Sequence, residues 1–142
     1  MKNKLNDVVV FAPHPDDETL GCGGYLLKLK KQNINIHWVI FTKMSLEAGF
    51  KKKEIIKKSN QIKKVAKKFG FKNVFELSYM PGSLDKYPIK EIINEVVRII
   101  NKIKPDTVLM PHIDDIHTDH SICNKAILSA TKNFRHPYVK KL

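Results

Sequence analysis

Two short stretches concentrate the groups that could do chemistry. The first is Pro13-His14-Pro15-Asp16-Asp17-Glu18, and the second runs Pro111-His112-Ile113-Asp114-Asp115-Ile116-His117-Thr118-Asp119-His120. His14 and Asp17 are spaced i, i+3, as are His117 and His120, so one helical turn sets each pair on one face. Two imidazoles and one carboxylate, with a water, make a catalytic zinc site that keeps one position open. The same donor set also accepts Fe(II) or Co(II). A zinc-bound water has a pKa of about 7, so hydroxide is available at neutral pH. A carboxylate beside the ligands can then act as general base, worth roughly 10²–10⁴ in rate. Asp16 suits that role, because it neighbours a ligand and points away from it. Taken singly, each of these residues reads better as a helix cap or a solvated loop. Two such clusters in one chain point to a site.

The clusters act together only if the fold joins them. Asp7–Ala12 is a Val-rich apolar run, as expected of a strand buried on both faces. Thr19 to about Lys31 reads as a helix, Ile34–Thr42 as a strand, and Lys51–Phe69 as an amphipathic helix stopped by Gly70. Asn73–Leu77 is a third strand, followed by the Met80-Pro81-Gly82-Ser83 turn. Pro88–Ile103 is a helix with proline tolerated in its first turn. Thr107–Met110 is a fourth strand, and a helix runs from about Thr118 to about Lys132. Strands alternating with helices predict an α/β fold with a mostly parallel sheet covered on both faces. The expected strand order is 3-2-1-4, which makes the first and fourth strands neighbours. Both chemical clusters then meet at their carboxyl ends, the switch point where such sheets bind ligands. Tyr138–Leu142 reads as the opening of a partial fifth strand.

Composition narrows the classes further. The chain has 142 residues, of which 42% are hydrophobic and 28% charged, which suits one globular domain. No apolar run approaches the ~20 residues that span a bilayer. The charged Met1–Asp7 lead-in followed by a short apolar run does not make a secretory signal. The formal net charge is +12, with Lys and Arg together at 26, yet Arg98 and Arg135 are the only arginines. Phosphate-reading surfaces favour the bidentate arginine fork, so the Lys-rich helix at 51–68 reads as a solvated face and no nucleic-acid partner is expected. The positive field would still draw anionic substrates. Cys22 and Cys123 are far apart, without a CxxC spacing, which suits a reducing cytoplasm. Gly21-Cys22-Gly23-Gly24 lacks the dinucleotide-binding pattern and is expected to allow close helix–strand packing. An Fe(II) oxygenase is disfavoured by the βα alternation, and a phosphoacceptor receiver leaves His14, His117 and His120 unexplained.

Residues 13–24, Pro-His-Pro-Asp-Asp-Glu-Thr-Leu-Gly-Cys-Gly-Gly, resemble the first signature of the PIG-L/LmbE-like deacetylases, with Pro13 where alanine is common. Asp115-Ile116-His117-Thr118-Asp119-His120 resembles their second motif, and Leu84-Asp85 and Lys104-Pro105-Asp106 are similar to features between them. The resemblance implies a Rossmann-like three-layer domain and zinc-dependent removal of an N-acetyl group from an amino sugar or glucosamine-containing conjugate. It implies His14, Asp17 and His120 as metal ligands and Asp16 as general base. It implies His117 as oxyanion stabiliser or proton donor, and Asp119 as a group orienting an imidazole. Lys58, Asp85 and Asp115 are candidate substrate contacts. Lys58 and Gln61 stand where the family commonly shows Arg-x-x-Glu. The family continues past the last helix, so the chain is expected to be a single domain, 1–142, cut short at its C-terminal end. The alternatives are a metal-dependent amidase acting on a non-acetyl amide and a catalytically silent remnant that still binds metal.

Overall fold

The computed structural model of the protein describes residues 7–142; the charged lead-in at residues 1–6 lies outside the described residues. The elements are β1 (Asp7–Ala12), α1 (Asp17–Lys31), β2 (Asn35–Thr42), α2 (Lys52–Phe69), β3 (Asn73–Tyr79), α3 (Ile89–Ile103), β4 (Thr107–Leu109) and α4 (Thr118–Ala130). A 3-10 turn at Leu84–Lys86, unforeseen in the sequence, follows β3. The strands form one sheet in the order β3-β2-β1-β4. All three pairings are parallel, with Val10 opposite Trp38 on one side and Leu109 on the other.

Side-chain alternation along the strands separates two apolar layers. Val9, Phe11, Val39, Phe41 and Val108 face Ile92, Val96, Ile99 and Ile100 of α3 and Cys123, Ala126 and Ile127 of α4. Val8, Val10, Ala12, Ile36, Trp38 and Ile40 face Leu26 and Leu29 of α1 and Ile62 and Phe69 of α2. The sheet is thus the middle of three layers, an α/β Rossmann-like arrangement. Gly70 ends α2 in the left-handed region at φ +71°, where a side chain would be strained.

One local expectation is corrected, and the expected partial fifth strand is present as a single bridge. A methyl at Gly23 would meet Phe69 of α2 at 3.5 Å, while Gly21 and Gly24 face open space. The glycines therefore do not serve helix–strand packing. They surround a break instead, since Cys22 is non-helical at φ −145° and ψ 18°, in a run where glycine weakens the helix. The Tyr138–Leu142 tail makes one isolated parallel bridge, Thr107 to Lys141, beside β4. Its Lys141 carbonyl accepts from Val108 N at 3.0 Å.

The end of the sheet away from the His/Asp clusters carries a separate polar pin. His37 on β2 is buried. Its Nδ1 accepts from Asn73 Nδ2 of β3 at 3.0 Å, and its Nε2 donates to Asp7 Oδ2 of β1 at 3.2 Å. Burial pushes the imidazole's pKa down, against the pull of Asp7. The unfolded chain then binds a proton more readily than the folded one. Stability held at pH 7.5 is lost as the pH falls below about 6.5 toward the folded value. His37→Gln is expected to cost about 1–2 kcal/mol at pH 7.5 and to show a shallower loss at pH 5.5 than the wild type. Urea denaturation at the two pH values checks both; parallel losses would remove His37 as the cause.

Candidate metal centre

β1 delivers Pro13 and His14 to the carboxyl edge of the sheet, and the following turn closes on itself. Thr42 at the end of β2 fixes it by donating from both N and Oγ1 to the Pro13 carbonyl, at 3.1 and 2.8 Å. Asp16 N and Asp17 N donate to the His14 carbonyl at 2.9 and 3.3 Å. In return Asp17 Oδ2 accepts from His14 N at 2.7 Å. Asp17 opens α1, where a carboxylate also suits the positive end of the helix.

The loop between β4 and α4 is knitted by its own side chains. Asp115 accepts from His117 N at 2.9 Å through Oδ1 and lies 2.8 Å from His120 Nδ1 through Oδ2. His117 is the N-cap of α4, and its Nδ1 accepts from Asp119 N at 3.1 Å. Asp119, fully buried, accepts from Gly82 N at 2.7 Å and Leu84 N at 3.1 Å, and lies 2.9 Å from His14 Nε2. One carboxylate thereby ties α4 to the β3–α3 connection and to the first loop.

These partners fix the tautomers. An ionised carboxylate only accepts, so the imidazole nitrogen facing it carries the proton. His14 is protonated on Nε2 toward Asp119, and His120 on Nδ1 toward Asp115. Their remaining lone pairs, His14 Nδ1 and His120 Nε2, lie 3.3 Å apart. Asp17 Oδ2 lies 3.4 Å from the first and 3.3 Å from the second. Three lone-pair donors thus face one another, a repulsive arrangement unless a proton or a cation sits between them. A tetrahedral zinc with bonds of about 2.0–2.1 Å has ligand–ligand edges of about 3.3 Å, so the donor triangle fits that ion. With no cation, the Asp17 hydrogen bond leads in raising the His14 pKa, helped by Asp119 and opposed by burial. Burial opposes ionisation of Asp17 and Asp119 as well. Contacts from His14 to Asp17, and from Leu84 N, Gly82 N and His14 to Asp119, outweigh it and hold both carboxyls below their usual range.

A second grouping, His14, His117 and Asp119, also lies within 4.8 Å. It fits a cation less well, because both Asp119 oxygens are already engaged by backbone N–H groups.

The other expected site residues distribute unevenly. Asp16 is exposed, makes no side-chain hydrogen bond among the described residues, and lines a cavity with His14 and Lys58. The His117 ring stands 4.9 Å from that of His14 and 4.9 Å from that of His120. Asp115 was expected on substrate; both its oxygens are instead occupied by His117 N and His120. Asp85 is exposed on the 3-10 turn and does not line that cavity. Glu18 is buried, which raises its carboxyl pKa, and its Oε1 accepts from Thr19 Oγ1. The backbone donors Gly82 and Leu84 carry no signal in the sequence, since any residue type offers an N–H.

Residues 9–131 match the PIG-L family, described as GlcNAc-PI de-N-acetylase. The chain belongs to the PIG-L family. It is 29% identical over 115 residues to the diacetylchitobiose deacetylase of Thermococcus kodakarensis, covering 77% of this chain and 42% of that protein. It is 24% identical over 131 residues to a probable N-acetyl-alpha-D-glucosaminyl L-malate deacetylase 2 of Bacillus cereus, covering 87% of this chain and 60% of that one. Its fold is that of the N,N'-diacetylchitobiose deacetylase from Pyrococcus horikoshii, with TM-score 0.77 at 21% identity over 96% of this chain and 53% of that one. The PIG-L chain therefore spans less than two thirds of these relatives.

As a PIG-L protein with this centre, the chain makes Asp119 a revealing position. Asp119→Ala leaves two backbone N–H groups unpaired, at about 1–3 kcal/mol of stability, and frees the His14 ring. Metal affinity should fall about 10–100-fold, as when an imidazole loses its orienting partner. Asp119→Asn keeps acceptors for the backbone and should recover most of the stability. Thermal denaturation with zinc titration separates the two effects.

Proposed function

We propose that this chain is a zinc-dependent hydrolase that removes an N-acetyl group from an amino sugar or a glucosamine-containing conjugate. The observation that carries the reading is the triangle of His14 Nδ1, Asp17 Oδ2 and His120 Nε2, with sides of 3.3–3.4 Å. It is supported by family membership and by relatives named as deacetylases of N-acetylated sugars. Zinc held by these three residues supplies a Lewis acid that polarises the amide carbonyl and makes water a nucleophile at neutral pH.

The chain's other residues move the protons. Asp16, exposed at the cavity mouth beside His14, takes a proton from the attacking water as the new C–O bond forms. His117 accepts at Nδ1 from Asp119 N, so its neutral ring carries its proton on Nε2. That N–H can support the developing oxyanion, and Asp16 passes the proton it took from water to the departing nitrogen as the C–N bond breaks. Acetic acid and a free amine result, and the acid gives up its proton to solvent, leaving acetate. Asp119 and Asp115 hold the His14 and His120 rings in register, as partners of metal-binding imidazoles do. No helix among the described residues is long and apolar enough to cross a membrane, and both cysteines are free, in keeping with a cytoplasmic enzyme.

Zinc content and acetate release test the reading together. About one zinc per chain, with acetate released from N-acetylglucosamine derivatives, is the expected result. Amide cleavage confined to non-acetyl substrates would replace acetyl with another acyl group. Zinc without any turnover would leave a metal-binding domain and overturn the enzymatic reading.

A further inference from the structure

The sheet divides the helices into two layers of very different charge. Together α1 and α2 carry eleven lysines and three acids, whereas α3 and α4 carry three lysines, one arginine and three acids. A lysine-rich composition by itself would load both layers alike, so the excess belongs to one face. On α2, Lys53, Lys57, Lys64 and Lys67 recur at helical spacing and are all exposed, while Ile62 and Phe69 are buried on the sheet. Lys28 and Lys31 of α1 are exposed as well. The two helices are joined where Lys30 Nζ donates to the Lys68 carbonyl at 2.6 Å, so their lysines share one surface. Among the described residues no lysine of either helix forms an ion pair. Glu54, the one acid on α2, instead accepts from Lys51 N at 2.7 Å. None of these six exposed lysines lines the cavity beside His14. Tyr25, Leu27 and Ile56 are exposed apolar groups on the same two helices.

We infer that this face of α1 and α2 binds the surface of a bilayer containing anionic lipids, peripherally and reversibly. Like charges on one face repel one another, and a layer of negative headgroups relieves that repulsion. A lysine ammonium is a compact point charge, which suits a fluid surface without fixed phosphate positions. Nucleic-acid phosphates are more often gripped by the arginine fork, and both arginines, Arg98 and Arg135, lie outside these helices. Tyr25, Leu27 and Ile56 can enter the headgroup boundary, whereas a duplex backbone offers them no partner. The apolar stripe of α2 stays on the sheet, so the helix rests on the bilayer and does not insert. Taken alone, α2 is a solvated face. The lysines of α1 beside it, and the near balance of charge on α3 and α4, give the molecule a side. Docking there is separate from the metal centre and requires no turnover.

The test is co-sedimentation of the full chain with vesicles of phosphatidylcholine alone or with about 30% phosphatidylserine. At about 0.1 M salt the chain should bind the anionic vesicles at least about tenfold more tightly than the neutral ones, and about 1 M salt should release it. Lys57→Gln/Lys64→Gln should weaken anionic binding about tenfold or more, since each lysine at such a surface is worth several-fold. Lys28→Gln/Lys31→Gln repeats the test from α1. Lys90→Gln/Lys125→Gln removes the same net charge from α3 and α4 and should stay within about twofold of the wild type. All six side chains are exposed, so melting temperatures should not move, and thermal denaturation checks this. Equal losses in the α1, α2 and α3/α4 variants would reduce the effect to net charge and overturn the inference. Equal binding to both kinds of vesicle, or binding to neither, would also overturn it. A DNA duplex of about 20 base pairs bound more tightly than the anionic vesicles, with the same dependence on Lys57 and Lys64, would assign the face to nucleic acid instead.

Discussion

Asp17→Ala and His120→Ala should each abolish stoichiometric zinc binding. A structural zinc site of four ligands is worth roughly 10–16 kcal/mol, or about 3 kcal/mol per ligand. Removing one then weakens binding on the order of 10²–10³-fold, enough for a chelator to strip the metal. Asp17 does a second job, since its Oδ2 also accepts from His14 N at 2.7 Å. Asp17→Ala therefore confounds a lost ligand with a loosened loop. Asp17→Asn separates them, because the amide oxygen still accepts from His14 N while offering the metal no charge. It should keep the metal-free stability within about 0.5 kcal/mol and still lose zinc. Elemental analysis after dialysis against a chelator, beside thermal denaturation, measures both. Zinc retained near one per chain in Asp17→Asn and His120→Ala alike would remove these residues from the coordination sphere.

The fold was legible because its signals are periodic and redundant. Apolar runs at Val8–Ala12 and Ile36–Phe41 are too uniformly hydrophobic for one-sided strands, and the helices between them force parallel pairing. The order β3-β2-β1-β4 follows. That order is also why His14 and His120, separated by 106 positions, stand with ring nitrogens 3.3 Å apart. The two motif-bearing loops are the ones the structure brings together, and spacing alone paired His14 with Asp17.

What stayed hidden depends on tertiary partners. Asp115 reads in the sequence as an available carboxylate, yet its loop folds back and places it on the His120 ring. The family resemblance marks Asp119 as a group orienting an imidazole, but nothing in the sequence shows its backbone partners. Only the approach of the β3–α3 turn, bringing Gly82 N and Leu84 N onto its oxygens, makes it the buried tie of the site. His37 reads as an ordinary strand residue until β1 and β3 bring Asp7 and Asn73 to its two nitrogens. The break at Cys22 was likewise concealed, because glycines permit several backbone outcomes and the sequence does not choose among them.

Asp16→Asn is expected to reduce acetate release about 10²–10⁴-fold, the range for loss of a positioned general base, while leaving zinc at the wild-type level. The separation follows from where the two neighbouring carboxylates point. Asp17 Oδ2 lies within 3.4 Å of both facing imidazole nitrogens, whereas Asp16 is exposed beside the cavity and hydrogen-bonds nothing through its side chain among the described residues. The amide is isosteric with the carboxylate and can still orient a water, but it cannot take the proton. With no hydrogen bond to lose, the variant should melt like the wild type, within about 0.5 kcal/mol. A drop in kcat with KM little changed would mark an interaction made in the transition state. Parallel losses of zinc and activity in Asp16→Asn would instead make it a ligand or a loop determinant. Full activity with zinc retained would require another proton acceptor beside His14, and among the residues lining that cavity the remaining carboxylate is Glu76. The double substitution Asp16→Asn/Glu76→Gln then decides whether the base lies on the β1–α1 loop or on β3.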